Sequence, residues 1–387
     1  MLTWIIEPRD PLIVRDGRPF GPTPGARAAS LSFPFPSTTT GVVRTRAGLG
    51  PDGKFDTAQI ERVKQIAVRG PLLVELNEND ENDATIKRWL LPAPADALLL
   101  DLEPAQPGRS YHQRLAPLSL PDGAATNLPK GMAVVGPARH DPRKPAQAPH
   151  FWFWERYAEW LNNPLEDEVQ SSDLGHDGPT MESRMHVSLD PEKQTARDGA
   201  LFQTRGLEFT RKEGKERRRL ALAVLSDEGL QPGLAPMGGE RRLVSWRTGP
   251  ATSLQCPCTV REAVIQNRAC RIILATPACF SAGWRPGWLL EPRQGVTPSL
   301  VGVAMPRYQV ISGWDLVTRR PKPTRRLAPA GSVFFLKLSG SASAIGQWVD
   351  SLWMQCVSDG EQDRRDGFGL AVLGAWSGEM QKMEGDR

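Results

Sequence analysis

Near its end the chain reads DGFGLAVLGAW (residues 366–376), and this stretch decides the fold. Gly367 and Gly369 lead directly into an apolar run long enough for a buried strand. A dinucleotide-binding loop would open a helix instead, so that site is excluded here. Glycines at such a junction suit a backbone with positive φ, or one that a polyanion or another chain approaches closely. The stretch is preceded by an amphipathic helix whose one face carries Ile345, Trp348, Val349, Leu352 and Cys356. The same arrangement occurs earlier, in PMGGERRLVSWRT (residues 236–248), where Gly238 and Gly239 precede another strand. There Pro232 and Pro236 leave barely a turn for a preceding helix. Two such echoes imply two α+β units in tandem, divided near residue 250. The expected domains are 1–250 and 251–387.

Towards the N-terminus, Leu2, Trp4 and Ile6 alternate as in a first strand. The next stretch, EPRDPLIVRDGRPF (residues 7–20), is a poor strand and a poor helix. One reading makes it a rigid lip, stiffened by Pro11 and Pro19, from which Arg15 and Arg18 reach phosphates while Asp10 and Asp16 orient them. The other makes it a buried ion-pair network that closes the domain. FPSTTTGVVRTRAG then predicts a short helix capped by Ser37 or Thr38 and carrying Arg44 and Arg46. A second helix is expected in DTAQIERVKQIAVRG, capped by Asp56, with Ile60, Val63 and Ala67 on one face, followed by the strand PLLVEL. Residues 104–150 are rich in proline and read as a surface insertion. HFWFWERYAEWLNNP reads as an amphipathic helix whose aromatics serve the core.

The net charge of +4 is too small for a uniformly basic surface, so any nucleic-acid surface must come from local patches. One lies between residues 205 and 219, where seven Lys or Arg stand against three Glu. Another is TRRPKPTRRL, in which Arg319, Arg320, Lys322, Arg325 and Arg326 meet no acid and two prolines stiffen the chain. The five cysteines, at 256, 258, 270, 279 and 356, read as reduced thiols, although the first four also admit a zinc set. The five histidines form no metal-helix pair, and neither a phosphate-binding P-loop nor a Cys-x-x-Cys pair occurs. No cofactor is expected. No signal peptide or membrane span is visible, so a cytoplasmic location is expected.

Taken in order, EPRDPLIVRDGRPF, FPSTTTGVVRTRAG, RMHVSLDPEKQTARDGALFQTRGLEF, GGERR, SGWD with RRLAPAGSVFFLKL, and GFGLAVLGAW resemble the third subunit of the Cmr module. That module is the type III-B CRISPR effector complex, and the subunit belongs to the RAMP superfamily. The resemblance implies two tandem ferredoxin-like (RRM-like) domains with Gly-rich loops, the first carrying the Pro-rich insertion near 104–150. It implies a non-catalytic subunit that binds the 5′ repeat-derived tag of the crRNA and docks the large polymerase-like subunit. The backbone RAMP subunit would be a further partner, and target RNA an indirect one. The family's RNA-binding residues carry over onto Gly238, Gly239, Arg241, Arg242, Gly367 and Gly369, and onto Arg184, His186 and Arg197 across a less regular turn. The alternative is a RAMP endoribonuclease that processes precursor crRNA, with a histidine as general base.

Overall fold

The computed structural model describes residues 1–15, 30–77, 85–102, 106, 108–213, 216–251, 254–315 and 320–383. It is a mixed α/β protein built on antiparallel sheets. The chain groups into two compact units, one made of residues 1–87, 178–251 and 310–326, the other of 88–177, 252–309 and 327–387. The chain crosses between the units at 251, and also at 87, 177, 309 and 326, so residues 310–326, expected within the C-terminal domain, group with the first unit. Residues 88–177, expected within the N-terminal domain, group with the second unit instead.

In the first unit the strands Leu2–Pro8, Val68–Leu76, Glu216–Ser226 and Arg242–Thr248 lie side by side in the order second, third, first, fourth. Every pairing among them is antiparallel. Trp4, Ile5, Ile6, Leu73, Val74, Leu222, Val224, Val244 and Trp246 form the buried core of this sheet. Removing a side chain of this size from water contributes about 1.5–3 kcal/mol. The helix Pro36–Ala47 covers the sheet and buries Thr39, Thr40 and Val43. It begins at Pro36, with Phe35 extended before it and no side-chain cap, so neither Ser37 nor Thr38 caps it. Proline at the first helical position has the right φ and lacks an N–H that would go unpaired there. The second expected helix shrinks to Ile60–Lys64, although Asp56 does accept from the Ala58 N–H at 2.9 Å. From Val68 the chain is already paired with Ser226, and Gly70 sits inside the strand where a Cβ would meet the Ala223 oxygen at 2.8 Å. Sheet pairing overrides the helical pattern.

No helix connects the third and fourth strands; the strand Gly233–Met237 adds to the sheet edge beside Arg242–Thr248. The long hairpin of Thr180–Leu189 and Ala196–Glu208 completes the unit, as the two strand-like runs predicted.

The second unit repeats the strand order. Ala269–Leu274, Thr297–Ala304, Val333–Ser339 and Leu370–Ala375 again lie second, third, first, fourth, all antiparallel. The helix Ala342–Leu352, capped by the Ser341 hydroxyl, buries Ile345, Trp348, Val349 and Leu352 as predicted. Cys356 lies beyond it, on a short strand opposite Leu370.

The surface insertion expected at 104–150 does not hold for residues 109–118, which are packed into the second unit. The strands Ala97–Asp101 and Arg109–Arg114 pair, and Leu99, Leu100, Ser110 and His112 are buried. The helix Trp154–Asn162 buries Tyr157, Trp160 and Leu161. Asp96 and Arg271 tie this segment to the sheet, at 0% and 2% exposure and 2.6 Å apart. Asp96 also accepts from the Trp160 indole at 2.9 Å, and Arg271 donates to the carbonyls of Trp160, Leu161 and Ala375. Gly374 leaves room for the guanidinium, since a Cβ there would stand 2.8 Å from Arg271 Nη2. Prolines between the apolar runs hide this packing from a composition-based reading.

Removing one partner of a buried pair leaves a charge stranded, at a cost of about 3–5 kcal/mol. Asp96→Ala is therefore expected to lower the thermal midpoint sharply. Asp350→Ala removes an exposed partner of Arg261 and should cost under about 1 kcal/mol. Parallel melts of the two variants check the contrast.

Candidate nucleic-acid interface

The opening charged stretch turns out to be a clasp. Its first residue, Glu7, is buried and accepts two hydrogen bonds at Oε1 from Arg219, at 3.1 and 2.9 Å. Arg247 pairs with its other oxygen. The buried ion-pair network is therefore real, and it is headed by Glu7. Asp10 accepts from the Leu243 N–H at 3.4 Å. Leu12, Ile13 and Val14 are buried, where a rigid exposed lip was the other expectation. Pro11 lies against Gly206, and Leu12 and Leu207 exchange two backbone hydrogen bonds of 2.8 Å. The Ile13 carbonyl accepts from the Gly239 N–H at 2.7 Å. The stretch thus pins the base of the long hairpin to the Gly238–Gly239 loop.

That loop has its glycines for a steric reason. Gly238 has φ +73°, and a Cβ there would stand 2.4 Å from the Ile13 oxygen. A Cβ on Gly239 would meet Ile13 Cγ2 at 3.0 Å and Arg15 Nε at 3.5 Å. Glu240 and Arg241 follow with φ of +56° and +52°. Such non-glycine conformations cost on the order of 1–3 kcal/mol each and recur at functional sites. The loop therefore gathers exposed Arg15, exposed Arg241 and half-buried Arg242, which donates to Glu240 at 2.8 Å.

The other predicted residues fall into separate places. Arg44 donates to the Ile66 carbonyl at 2.9 Å. Arg46 donates to the carbonyls of Gln231 and Leu234 and lies over the Trp246 ring at 5.6 Å, and burial lowers its pKa. Both guanidiniums hold the Pro36–Ala47 helix in place. On the hairpin, Arg184 is exposed and paired with Glu182 at 2.6 Å, a hydrogen bond that raises its pKa. His186 stacks on Phe202 at 5.2 Å, and its Nε2 meets Thr204 Oγ1 at 2.9 Å. Arg197 is on the opposite strand of the hairpin, its side chain outside the described part, and Arg18 and Arg319 lie outside the described residues. Arg320, Lys322, Arg325 and Arg326 are exposed in the first unit, the three arginines on short paired strands and Lys322 between them.

The second Gly loop is closed by its own unit. Gly367 has φ +92°, and its carbonyl accepts from the Thr276 hydroxyl at 2.7 Å. Gly369 has φ +82°, and a Cβ there would stand 2.9 Å from both the backbone nitrogen and the hydroxyl of Ser358. The close approach that Gly369 permits is an approach by Pro277, Ala278 and Ser358. Among the described residues, no cluster of three or more His, Cys, Asp or Glu is arranged to hold a metal.

Sequence reasoning missed a cluster of His112, Trp152 and Trp160 in the second unit. His112 stacks on Trp160 at 4.1 Å, with Trp152 edge-on at 5.1 Å. The aromatic run around 151–160 was legible, but its histidine partner lies forty residues earlier, in the proline-rich part.

Residues 4–376 match the family described as CRISPR-associated protein (Cas_Cmr3). The chain belongs to the Cmr3 family. This is the third-subunit family of the Cmr module that the sequence motifs resemble. No curated protein matches the chain. It is similar to a chain in the cryo-EM structure of the Type III-B Cmr-beta bound to cognate target RNA, with 14% identity, 86% of each chain covered and a TM-score of 0.47. It is similar to a chain of Cmr-beta bound to cognate target RNA and AMPPnP, state 1, with 14% identity, coverage of 90% and 88%, and a TM-score of 0.47. A third is a chain of the Csm3–Csm4 subcomplex of the type III-A CRISPR-Cas interference complex, at 11% identity, coverage of 88% and 94%, and a TM-score of 0.32.

Gly238→Ala combines a positive φ with a collision against a backbone oxygen, so it is expected to destabilise the first unit. Gly123→Ala is the control, because Gly123 has φ +84° but no atom within 4 Å of its Cβ position. Strain alone should cost the control on the order of 1–3 kcal/mol at most, and Gly238→Ala should cost clearly more in denaturant unfolding.

Proposed function

We propose that this Cmr3-family chain is a non-catalytic, RNA-binding subunit of a type III-B CRISPR effector complex, holding the 5′ repeat-derived tag of the crRNA. The observation that carries the reading is the clasp. It sets Arg15, Arg241 and Arg242 around one strained loop and joins that loop to the base of the hairpin that bears Arg184 and His186. Cations on a backbone fixed this tightly suit contact at a defined register: phosphate contacts set that register, and a guanidinium that reaches an unstacked base reads sequence, which is how a tag differs from arbitrary RNA. The exposed run of Arg320, Lys322, Arg325 and Arg326 adds sequence-independent attraction. The strand order shared by the two units supports two ferredoxin-like domains in tandem. Each lacks one helix of that pattern, between the third and fourth strands in the first unit and between the first and second in the other. The large polymerase-like subunit and the backbone RAMP subunit are the protein partners of this reading, with target RNA reached indirectly. Among the described residues, no helix is long and apolar enough to cross a membrane.

Neutralising Arg320, Arg325 and Arg326 is expected to weaken RNA binding for every sequence tested. For each phosphate no longer neutralised, the log–log salt dependence should flatten by roughly 0.7 for a single strand. Neutralising Arg241 and Arg242 should weaken tag RNA more than a scrambled RNA. The purified chain should not cleave precursor crRNA; cleavage that disappears in His186→Ala would establish the endoribonuclease instead. Equal weakening on tag and scrambled RNA from the Arg241 and Arg242 changes would contradict tag recognition at this loop.

A further inference from the structure

We propose that the loop 282–286 of the second unit docks another protein subunit of the complex, one that offers an apolar pocket with a carboxylate at its rim. The proposal rests on the chain being a subunit of that complex and is independent of tag binding by the first unit.

Two side chains stand out from this loop. Trp284 is 38% exposed, and among the described residues nothing accepts from its indole N–H. Arg285 beside it is exposed and makes no ion pair or hydrogen bond with a described residue. The backbone beneath them is held at both ends by one carboxylate. Asp359 accepts from the N–H groups of Ser281 at 2.8 Å, Gly287 at 2.7 Å and Trp288 at 2.9 Å. Its own N–H donates to the Cys279 carbonyl at 3.0 Å. Gly287 leaves room for this grip, since a Cβ there would stand 3.2 Å from both carboxylate oxygens. Arg364 donates to the carbonyls of Ser358 and Asp359, at 2.6 and 2.7 Å, and lies over the Trp288 ring at 4.4 Å. Arg293 covers the same ring at 3.5 Å and donates to the Trp288 carbonyl. The loop is therefore fixed before any partner arrives, and ordering it on association costs little. Tryptophan and arginine are the residue types that most often dominate binding at protein interfaces.

The charges choose the occupant. Arg293 and Arg364 are taken up by backbone carbonyls, and Arg365 by Glu361 at 2.5 Å. Arg285 is the cation that the loop itself offers. One cation gives little of the counterion release that drives binding to nucleic acid. An indole beside a guanidinium fits instead an apolar pocket whose rim carries a carboxylate, where the ion pair forms as the ring is buried. A two-fold pair of this chain centred on the loop would set Arg285 against Arg285, so the occupant is a different protein.

The test replaces Ala282, which is exposed, by p-benzoylphenylalanine and irradiates the assembled complex, with Trp284 and Arg285 left in place. The expected result is an adduct with a different protein subunit, at a peptide that carries Asp or Glu. Trp284→Ala should lower its yield at least tenfold, and Arg285→Glu should lower it more than Arg285→Ala does. Both side chains are exposed, so the variants keep the fold, which parallel melts verify. Binding of the crRNA tag by the same variants should not change. An adduct with RNA or with a second copy of this chain overturns the proposal. So does the absence of an adduct, a yield that Trp284→Ala leaves unchanged, or an equal loss from the two Arg285 changes. Docking is read on the protein adduct and tag binding on RNA, so either reading can fail without the other.

Discussion

A single backbone oxygen constrains the first unit. The Ile13 carbonyl accepts from Gly239 and lies so close to Gly238 that no side chain fits there. For the chain to reach that position, Glu7 must be held by Arg219 and Arg247, and Leu12 must pair with Leu207. The clasp therefore depends on strands far apart in sequence, and it fixes the loop and the hairpin in one register. Burying Glu7 is costly by itself, and the two arginines offset that cost while leaving little alternative geometry. A rigid loop with exposed arginines loses little further entropy on meeting a phosphate backbone.

The second unit is organised around a different constraint. Asp96, Arg271 and Trp160 form a buried hydrogen-bonded group. It draws the proline-rich middle of the chain onto the second sheet and accounts for Gly374, and so for part of the GFGLAVLGAW signature. Its second Gly loop is satisfied by Thr276, Pro277 and Ser358. The two sequence echoes therefore share a strand order but differ in what the glycines face: the Ile13 carbonyl at the loop that carries exposed arginines in one unit, and Ala278 and Ser358 in the other.

Much of this was legible in the sequence. The apolar alternation at Leu2, Trp4 and Ile6, the hairpin runs and the face of Ile345, Trp348, Val349 and Leu352 are local patterns, and local patterns survive folding. The extent of the second helix was not legible, because Val68 pairs with Ser226 and no local signal reports a partner 158 positions away. The middle segment was misplaced for a related reason. Its prolines dominate the composition, while Asp96, which helps to anchor it, has its partner at Arg271. Of the candidate site residues, the Gly238–Gly239 loop could be read from sequence. The structural duties of Arg44 and Arg46 could not, since their acceptors are backbone carbonyls. PLIV gave no hint of its role either, because burial of Leu12 and Ile13 depends on the hairpin and the loop together.

The clasp matters for function only if RNA passes over the surface it builds. The most direct measurement is photocrosslinking from a photoreactive uridine placed at successive positions of the crRNA tag in the assembled complex, with the attached peptides identified by mass spectrometry. The account predicts that attachment concentrates in residues 9–15, 180–208 and 238–242, and moves between them as the probe moves along the tag. Attachment confined to the second unit, or to other subunits throughout, would contradict it.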